Sequence, residues 1–203
     1  YYNYFALYIM PARRLNINTA RRIIAVYQNR EINNFPRIMD YYIKPRQSWI
    51  EFEWLEGNPI TDNDLQQAFF TLGAMHKTFR IKGSKNSVYT LCHGDVHKNN
   101  ILKAGNKIMF IDTLYTHVGW NYTDLDYVDL YDLFDKAKYP WIIKDRGIID
   151  SYFEGLEMKL ISIEKELFRK KAAVYALKKY IKNGIKNDIN ISYEKKCLRK
   201  ISE

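Results

Sequence analysis

The run Leu91-Cys92-His93-Gly94-Asp95-Val96-His97-Lys98-Asn99-Asn100-Ile101-Leu102 constrains this chain more than any other feature. An acid, Asp95, is followed five positions later by an amide, Asn100, and Met109-Phe110-Ile111 then leads to a second acid, Asp112. Between the two, Ala104-Gly105-Asn106-Lys107 is a turn signal, so Ile101-Leu102 and Ile108–Ile111 read as the arms of a hairpin. Such a hairpin brings Asn100, just before its first arm, close to Asp112, just after its second. Phosphoryl transfer from a nucleotide needs parts of this kind. One carboxylate orients or accepts the proton of an attacking hydroxyl, and an amide with another carboxylate holds the cations that neutralise the phosphates. His93, Gly94, Asp95 and Asn100 at fixed spacing arise by chance about once in a thousand chains of this length, at equal residue usage. The competing reading is a polar turn that only joins two strands.

The pattern His-Gly-Asp-x-His-x-x-Asn, followed by an apolar strand ending in Ile111-Asp112, resembles the aminoglycoside phosphotransferase and choline kinase branch of the protein-kinase-like superfamily. The resemblance implies an α+β, bilobal fold with a reduced or truncated small β lobe and a larger, mainly helical lobe. It implies ATP and Mg²⁺ as cofactors and transfer of the γ-phosphate to a hydroxyl of a small molecule. On this reading Asp95 is the catalytic base, and Asn100 and Asp112 are the metal ligands. His93 braces the loop, and His97 either touches the transferred phosphate or packs the loop. Backbone groups of Glu53-Trp54-Leu55 meet the adenine, with Leu102 as its apolar floor and Ile111 beside it. His-Gly-Asp in place of His-Arg-Asp, and Thr113-Leu114 after Asp112 where a protein kinase has Phe-Gly, favour the small-molecule branch. An atypical protein kinase is the alternative.

The small lobe is expected over residues 1–55 and the large lobe over 56–203. Residues 4–10 read as an aromatic strand stopped by Pro11, and Thr19–Arg30 as a short helix. The resembled family carries a phosphate-binding Lys on this strand, where the chain has Tyr8. Its partner Glu is not apparent in the helix, with Glu31 only at the far end, and no Gly precedes Gly57. The chain begins at Tyr1 without a Met, so either the small lobe starts upstream or it is degenerate. Residues 35–42 and 48–55 read as two strands turned around Lys44-Pro45-Arg46, the second stopped by Leu55-Glu56-Gly57-Asn58-Pro59.

Thr61–Arg80 reads as an amphipathic helix with Leu65, Phe69, Leu72, His76 and Phe79 on one face, His76 as a satisfied core histidine. After a loop at 82–86, Val88–Cys92 reads as the strand that delivers the motif. Gly119-Trp120-Asn121-Tyr122-Thr123-Asp124-Leu125-Asp126 resembles the family's later Gly-x-x-x-x-Asp-Leu element, with Asp124 as a brace of the catalytic loop. Asp126, Asp129 and Asp132 form an acidic face, read as a solvated helix start or as a grip on a cationic substrate. Helices follow over about 140–159 and 162–183, the latter with a stripe of Ile163, Leu167, Val174, Leu177 and Ile181, and a short one over 195–200.

Composition narrows the setting. With 203 residues, 47% hydrophobic and 27% charged, the chain can bury a sizeable core. No apolar run approaches the roughly 20 residues of a membrane span, and the N-terminus lacks a signal-peptide pattern. Two distant cysteines, Cys92 and Cys197, do not make a disulfide framework, so a reducing cytoplasm is expected. From Lys159 to Glu203 there are 13 Lys/Arg against 5 Asp/Glu, a surplus of 8 out of the net +9. That basic end is either a solvated face or a contact for an acidic partner, such as a nucleic acid or a protein. Three functions therefore compete: a small-molecule phosphotransferase, a pseudokinase-like binding protein, and a nucleic-acid-associated module whose affinity would fall steeply with salt.

Overall fold

The computed structural model describes residues 6–8, 33–44, 47–112, 115–125, 147–187 and 189–202, with Arg21, Ile24, Ala25 and Gln28 between the first two stretches. The architecture is α+β: among the described residues there are three small antiparallel sheets and a set of helices. The first sheet contains β1 (Ala6–Tyr8), β2 (Ile38–Lys44) and β3 (Gln47–Phe52) in the order β1-β3-β2, with Tyr8 opposite Ile50. Of the expected helix at 19–30, Arg21, Ile24 and Ala25 are helical, and the Gln28 N–H donates to the Ile24 carbonyl at 2.9 Å. The remainder of that helix, residues 45–46 of the expected turn, and Asp126, Asp129 and Asp132 lie outside the described residues.

The second sheet joins β4 (Asn58–Pro59) to the expected hairpin, β7 (Ile101–Ala104) and β8 (Lys107–Phe110), with Ile101 opposite Phe110 and Ala104 opposite Lys107. In the third, β6 (Ser87–Cys92) lies between β5 (Lys82–Ser84) and β9 (His117–Trp120). Strand β4 falls within the stretch read as a stop, and two strands of the third sheet were not expected either. Residues 82–84 pair with 87–89 where a loop was read, and His117–Trp120 pairs with Tyr89–Cys92. Both are short, and Gly83 and Gly119 at their centres dilute the alternating pattern that announces a strand.

The expected helix from Thr61 begins as a 3-10 turn, Asp62–Asp64, and continues as α1 (Leu65–Thr78). Its start is capped by the Asp64 carboxylate, which accepts from the Thr61 N–H at 3.0 Å and the Thr61 hydroxyl at 2.7 Å. Leu65, Phe69, Leu72 and His76 face inward as expected. Against them packs α2 (Gly147–Gly155), which stops four residues short of the helix expected over 140–159: the chain turns at Leu156-Glu157, with Glu157 at φ +54°, and residues 140–146 lie outside the described residues. The two helices meet through a pair of glycines. A Cβ on Gly73 would stand 2.1 Å from the Tyr152 carbonyl oxygen, and one on Gly155 would stand 2.0 Å from that of Phe70. Backbones this close leave no room for a side chain at either position.

The next helix, α3 (Ser162–Lys186), corrects the expected stripe. Its buried residues are Phe168, Ala172, Ala173, Ala176, Leu177 and Gly184. Of the five stripe residues only Leu177 is buried; Ile163 and Leu167 are 72% and 50% exposed. The physical reason is that alanines let the helix approach its neighbours closely, so the packed face is the one with small residues and a single large ring. Phe168 stacks on Tyr152 and meets Phe153 edge to face in the main core, and Ala173, Ala176 and Leu177 pack with Cys197 of α4 (Ser192–Ser202). Part of the basic surplus is spent inside the chain: Lys165 pairs with Asp150, and the Lys171 ammonium bonds to Asn86 Oδ1 at 2.9 Å. No helix among the described residues is long and apolar enough to cross a membrane.

Candidate active site

The site is built where β6 ends and where the β7–β8 hairpin begins and ends. Gly94 turns the chain out of β6 with φ +86°, and a Cβ there would lie 2.1 Å from the Tyr115 carbonyl oxygen, so only glycine fits. Next, the loop folds back on itself. Asn100 Nδ2 donates to the Asp95 carbonyl oxygen at 3.0 Å and lies 3.2 Å from Asp95 Oδ2. Its Oδ1, the atom able to ligate a metal, therefore sits on the opposite side of the amide. The Ile111 N–H donates to the Asn100 carbonyl at 2.9 Å, which brings Asp112 beside Asn100 as the hairpin argument requires.

Asp112 carries two marks of strain. Its backbone sits at φ +57°, a region an aspartate enters at a cost of about 1–3 kcal/mol. Its Oδ1 is buried and has no hydrogen-bond partner. A buried carboxylate oxygen without a donor is costly unless something positive reaches it. Asp95, Asn100 and Asp112 are thus hard oxygen donors on one short loop and hairpin, which suits Mg²⁺.

His93 ties the two halves together. Its Nε2–H donates to the Ile111 carbonyl at 2.8 Å, and its Nδ1 accepts the Asp95 N–H at 3.3 Å. That pairing specifies the neutral ring with the proton on Nε2. Burial agrees: it depresses the His93 pKa below the ordinary value, although the charge of Asp124 pulls the other way. Phe35 lies parallel to the ring at 6.5 Å. The same segment is anchored by Asn34, whose Nδ2 donates to the Ile108 carbonyl at 2.8 Å and whose carbonyl accepts the Phe110 N–H at 2.7 Å. His97 Nε2 stands 3.5 Å from Asp95 Oδ2, with both side chains partly exposed. Lys98 forms an ion pair with Asp62.

Beneath the loop lies a polar chain, buried except at Gly94, which is half-buried. Asp124 accepts the N–H groups of His93 and Gly94, each at 2.6 Å, and the His76 Nε2–H at 3.0 Å. His76 Nδ1 lies 2.7 Å from the Tyr152 hydroxyl, which accepts Asn121 Nδ2 at 2.8 Å, and Asn121 Oδ1 accepts the Val88 N–H at 3.1 Å. Burial alone would raise the Asp124 pKa. The hydrogen bond and charge of His76, with His93 and the Gly94 N–H, outweigh it and hold the carboxyl below its usual value. Asp124 and His76 therefore sit where the sequence reading put them, and Tyr152 and Asn121 are the partners it missed. Among the described residues, His76, Cys92 and Asp124 are grouped closely enough to hold a metal. Burial, and then the charge of Asp124, push the Cys92 thiol up, and its sulfur lies 3.6 Å from the Trp120 carbonyl oxygen, so it sits there as a protonated thiol.

The nucleotide side differs from expectation in one respect. The Glu53 N–H is spent on the Arg37 carbonyl at 2.8 Å, and the Glu53 carboxylate on Arg37 Nε at 2.8 Å. Trp54 is 56% exposed, and Leu102, half-buried, pairs with Met109 and Pro59. A cavity of about 1110 Å³ reaches Glu53, Leu55, Phe35 and Met109 but not Trp54, Leu102, Ile111, Asp95, Asn100 or Asp112. It lies apart from the acids.

No protein-family model and no curated protein matches the sequence. Solved structures do. Choline kinase from Cryptosporidium parvum Iowa II aligns over 97% of this chain and 80% of its own, with a TM-score of 0.60 and 14% identity. An amicoumacin kinase in complex with AMP-PNP, Ca²⁺ and Ami covers 98% of this chain and 80% of its own, with a TM-score of 0.57 and 16% identity. A putative fructosamine-3-kinase from Haemophilus somnus 129PT covers 95% and 80%, with a TM-score of 0.55 and 11% identity. At these identities the likeness is one of fold. This chain has the α+β protein-kinase-like fold in the form that these small-molecule kinases share.

Proposed function

We propose that the chain is an ATP- and Mg²⁺-dependent phosphotransferase that acts on a hydroxyl of a small molecule. The observation that carries the reading is the buried, partnerless Oδ1 of Asp112, held at φ +57° beside Asn100. Asn100 and Asp112 are the metal ligands, and a divalent ion held there would offset the charge of the nucleotide phosphates. Asp95 accepts the proton of the acceptor hydroxyl as its oxygen bonds to the γ-phosphorus and the bond to the β-phosphate oxygen of ATP breaks, leaving ADP. His93 sets the loop that carries Asp95, and His97 lies where it can meet the transferred phosphate. The Glu53–Leu55 stretch, Leu102 and Ile111 form the adenine side. Residues 1–55 make up the small lobe and 56–203 the large one. A cytoplasmic setting accords with a chain whose only two cysteines, Cys92 and Cys197, lie far apart in sequence and are both buried.

A pseudokinase is the second reading, favoured by Tyr8 on β1, where the resembled family carries the phosphate-binding Lys. Calorimetry separates them. The enzyme binds Mg²⁺–ATP at micromolar concentration, loses it in Asp112→Ala, and in Asp95→Asn retains binding but loses turnover by at least about a hundredfold. Binding that ignores the Asp112 substitution would overturn the metal assignment.

A further inference from the structure

Asn100 is held on one side by Asp95, through its amide, and by the Ile111 N–H, through its carbonyl. On the other side the chain from Asn58 to Asp64 runs antiparallel to residues 98–103. Asn58 lies opposite Lys103 and Pro59 opposite Leu102, and the Ile60 N–H donates to the Ile101 carbonyl at 3.2 Å. Beyond these, two acids of the 3-10 turn that starts α1 reach across. Asp62 pairs with Lys98, and Asp64 Oδ1 accepts from the Lys103 ammonium at 2.6 Å. Asn100 therefore lies in sequence between two lysines that are both tied to one turn.

The two ties differ in weight. The Asp62 side chain is 69% exposed and that of Lys98 35%, and an ion pair so open to water contributes little. Asp64 is buried, and its second oxygen accepts the Thr61 N–H and hydroxyl. Lys103, and then these two Thr61 donors, hold the Asp64 carboxyl down at about 2, so it is ionised throughout the neutral range. Lys103 stands on β7, a four-residue strand that starts directly after Asn100. A sideways shift at Lys103 is carried along so short a strand to the amide, about 10 Å away at strand rise. Mg²⁺ accepts little such shift, since it takes near-octahedral oxygens at about 2.0–2.1 Å.

We infer that Asp64 is a positioning residue for the metal site: through Lys103 it sets β7, and with it Asn100, against the first turn of α1. The inference rests on the reading of Asn100 as a ligand of Mg²⁺. It gives the Thr61–Asp64 turn a role beyond capping the helix.

Two readouts on the full chain test it. One is the Mg²⁺ concentration that half-saturates ATP binding in calorimetry. The other is the side-chain amide resonance of Asn100, which its contacts with Asp95 set apart from exposed amides. Asp64→Asn and Lys103→Met each break the tie and keep the ligands. Each should shift the Asn100 resonance and raise half-saturation by about three- to tenfold. That is less than the roughly ten- to hundredfold of a group bonded directly to a ligand, because Asp64 acts through a strand. The double variant should do no more than either single one, since both remove the same contact. Thr61→Ala controls for stability. It removes a cap from the oxygen that Lys103 does not use, and should lower the Tm while leaving both readouts in place. An unmoved Asn100 resonance or an unmoved half-saturation in the two tie variants overturns the inference, as does an equal change in Thr61→Ala. A wild-type chain that binds no Mg²⁺–ATP overturns the phosphotransferase reading instead, and the placing of Asn100 by Asp64 then stands or falls on the resonance alone.

Discussion

Asp124 serves three donors at once: the His76 ring and the His93 and Gly94 N–H groups. Replacing it with Asn removes the charge but keeps the shape, and Ala removes both. With the His76 ring and two backbone N–H groups left buried, Asp124→Ala is expected to cost about 3–5 kcal/mol in chemical denaturation. Gly94→Ala acts by sterics instead. Its Cβ would meet the Tyr115 carbonyl at a backbone angle that side chains avoid, so a loss of about 2–4 kcal/mol is expected in the same measurement. The acids themselves were legible because each is a fixed residue type at a fixed offset. Asp95, Asn100 and Asp112 announce themselves by spacing, and the hairpin that unites them is written in Gly105 and Asn106. Tyr152 and Asn121 were not legible. A tyrosine on the buried face of a helix gives no sign that its hydroxyl links His76, 76 residues away, to Asn121.

At the scale of elements, hydrophobic period located α1 and α3 but chose the wrong face of α3. The pattern of large aliphatic residues is sharper than that of Ala172, Ala173 and Ala176, yet packing follows the alanines. The two faces are therefore separable by mutation. Phe168→Ala is expected to cost about 3–5 kcal/mol, since the ring is fully buried between Tyr152 and Phe153. Leu167→Ala in dilute protein should stay within about 0.5 kcal/mol. Urea unfolding of both variants checks the assignment, and equal costs would refute it. Strands β5 and β9 escaped notice for a different reason: three or four residues around a glycine carry too little alternation to rise above a loop.

For the whole molecule, acid sensitivity follows from the same buried groups. His93 has a lowered pKa in the fold, so below its unfolded value of about 6.5 the unfolded chain takes up a proton that the folded chain refuses. Stability should fall as pH drops through that value, and a thermal-melt series should show this limb flattened in His93→Gln. Asp124 is also lowered, so its contribution is complete above the unfolded value of about 3.8 and is lost as pH falls through the lower folded value, giving a second loss at more acid pH. The polar chain from Val88 to Gly94 gathers β6, the catalytic loop, the turn at Asn121–Asp124, α1 and α2. A loop held this way does not open by itself. In deuterium exchange, the amides of His93 and Gly94 should therefore be among the slowest of the molecule, released only when the entire domain unfolds, although they belong to no helix or strand.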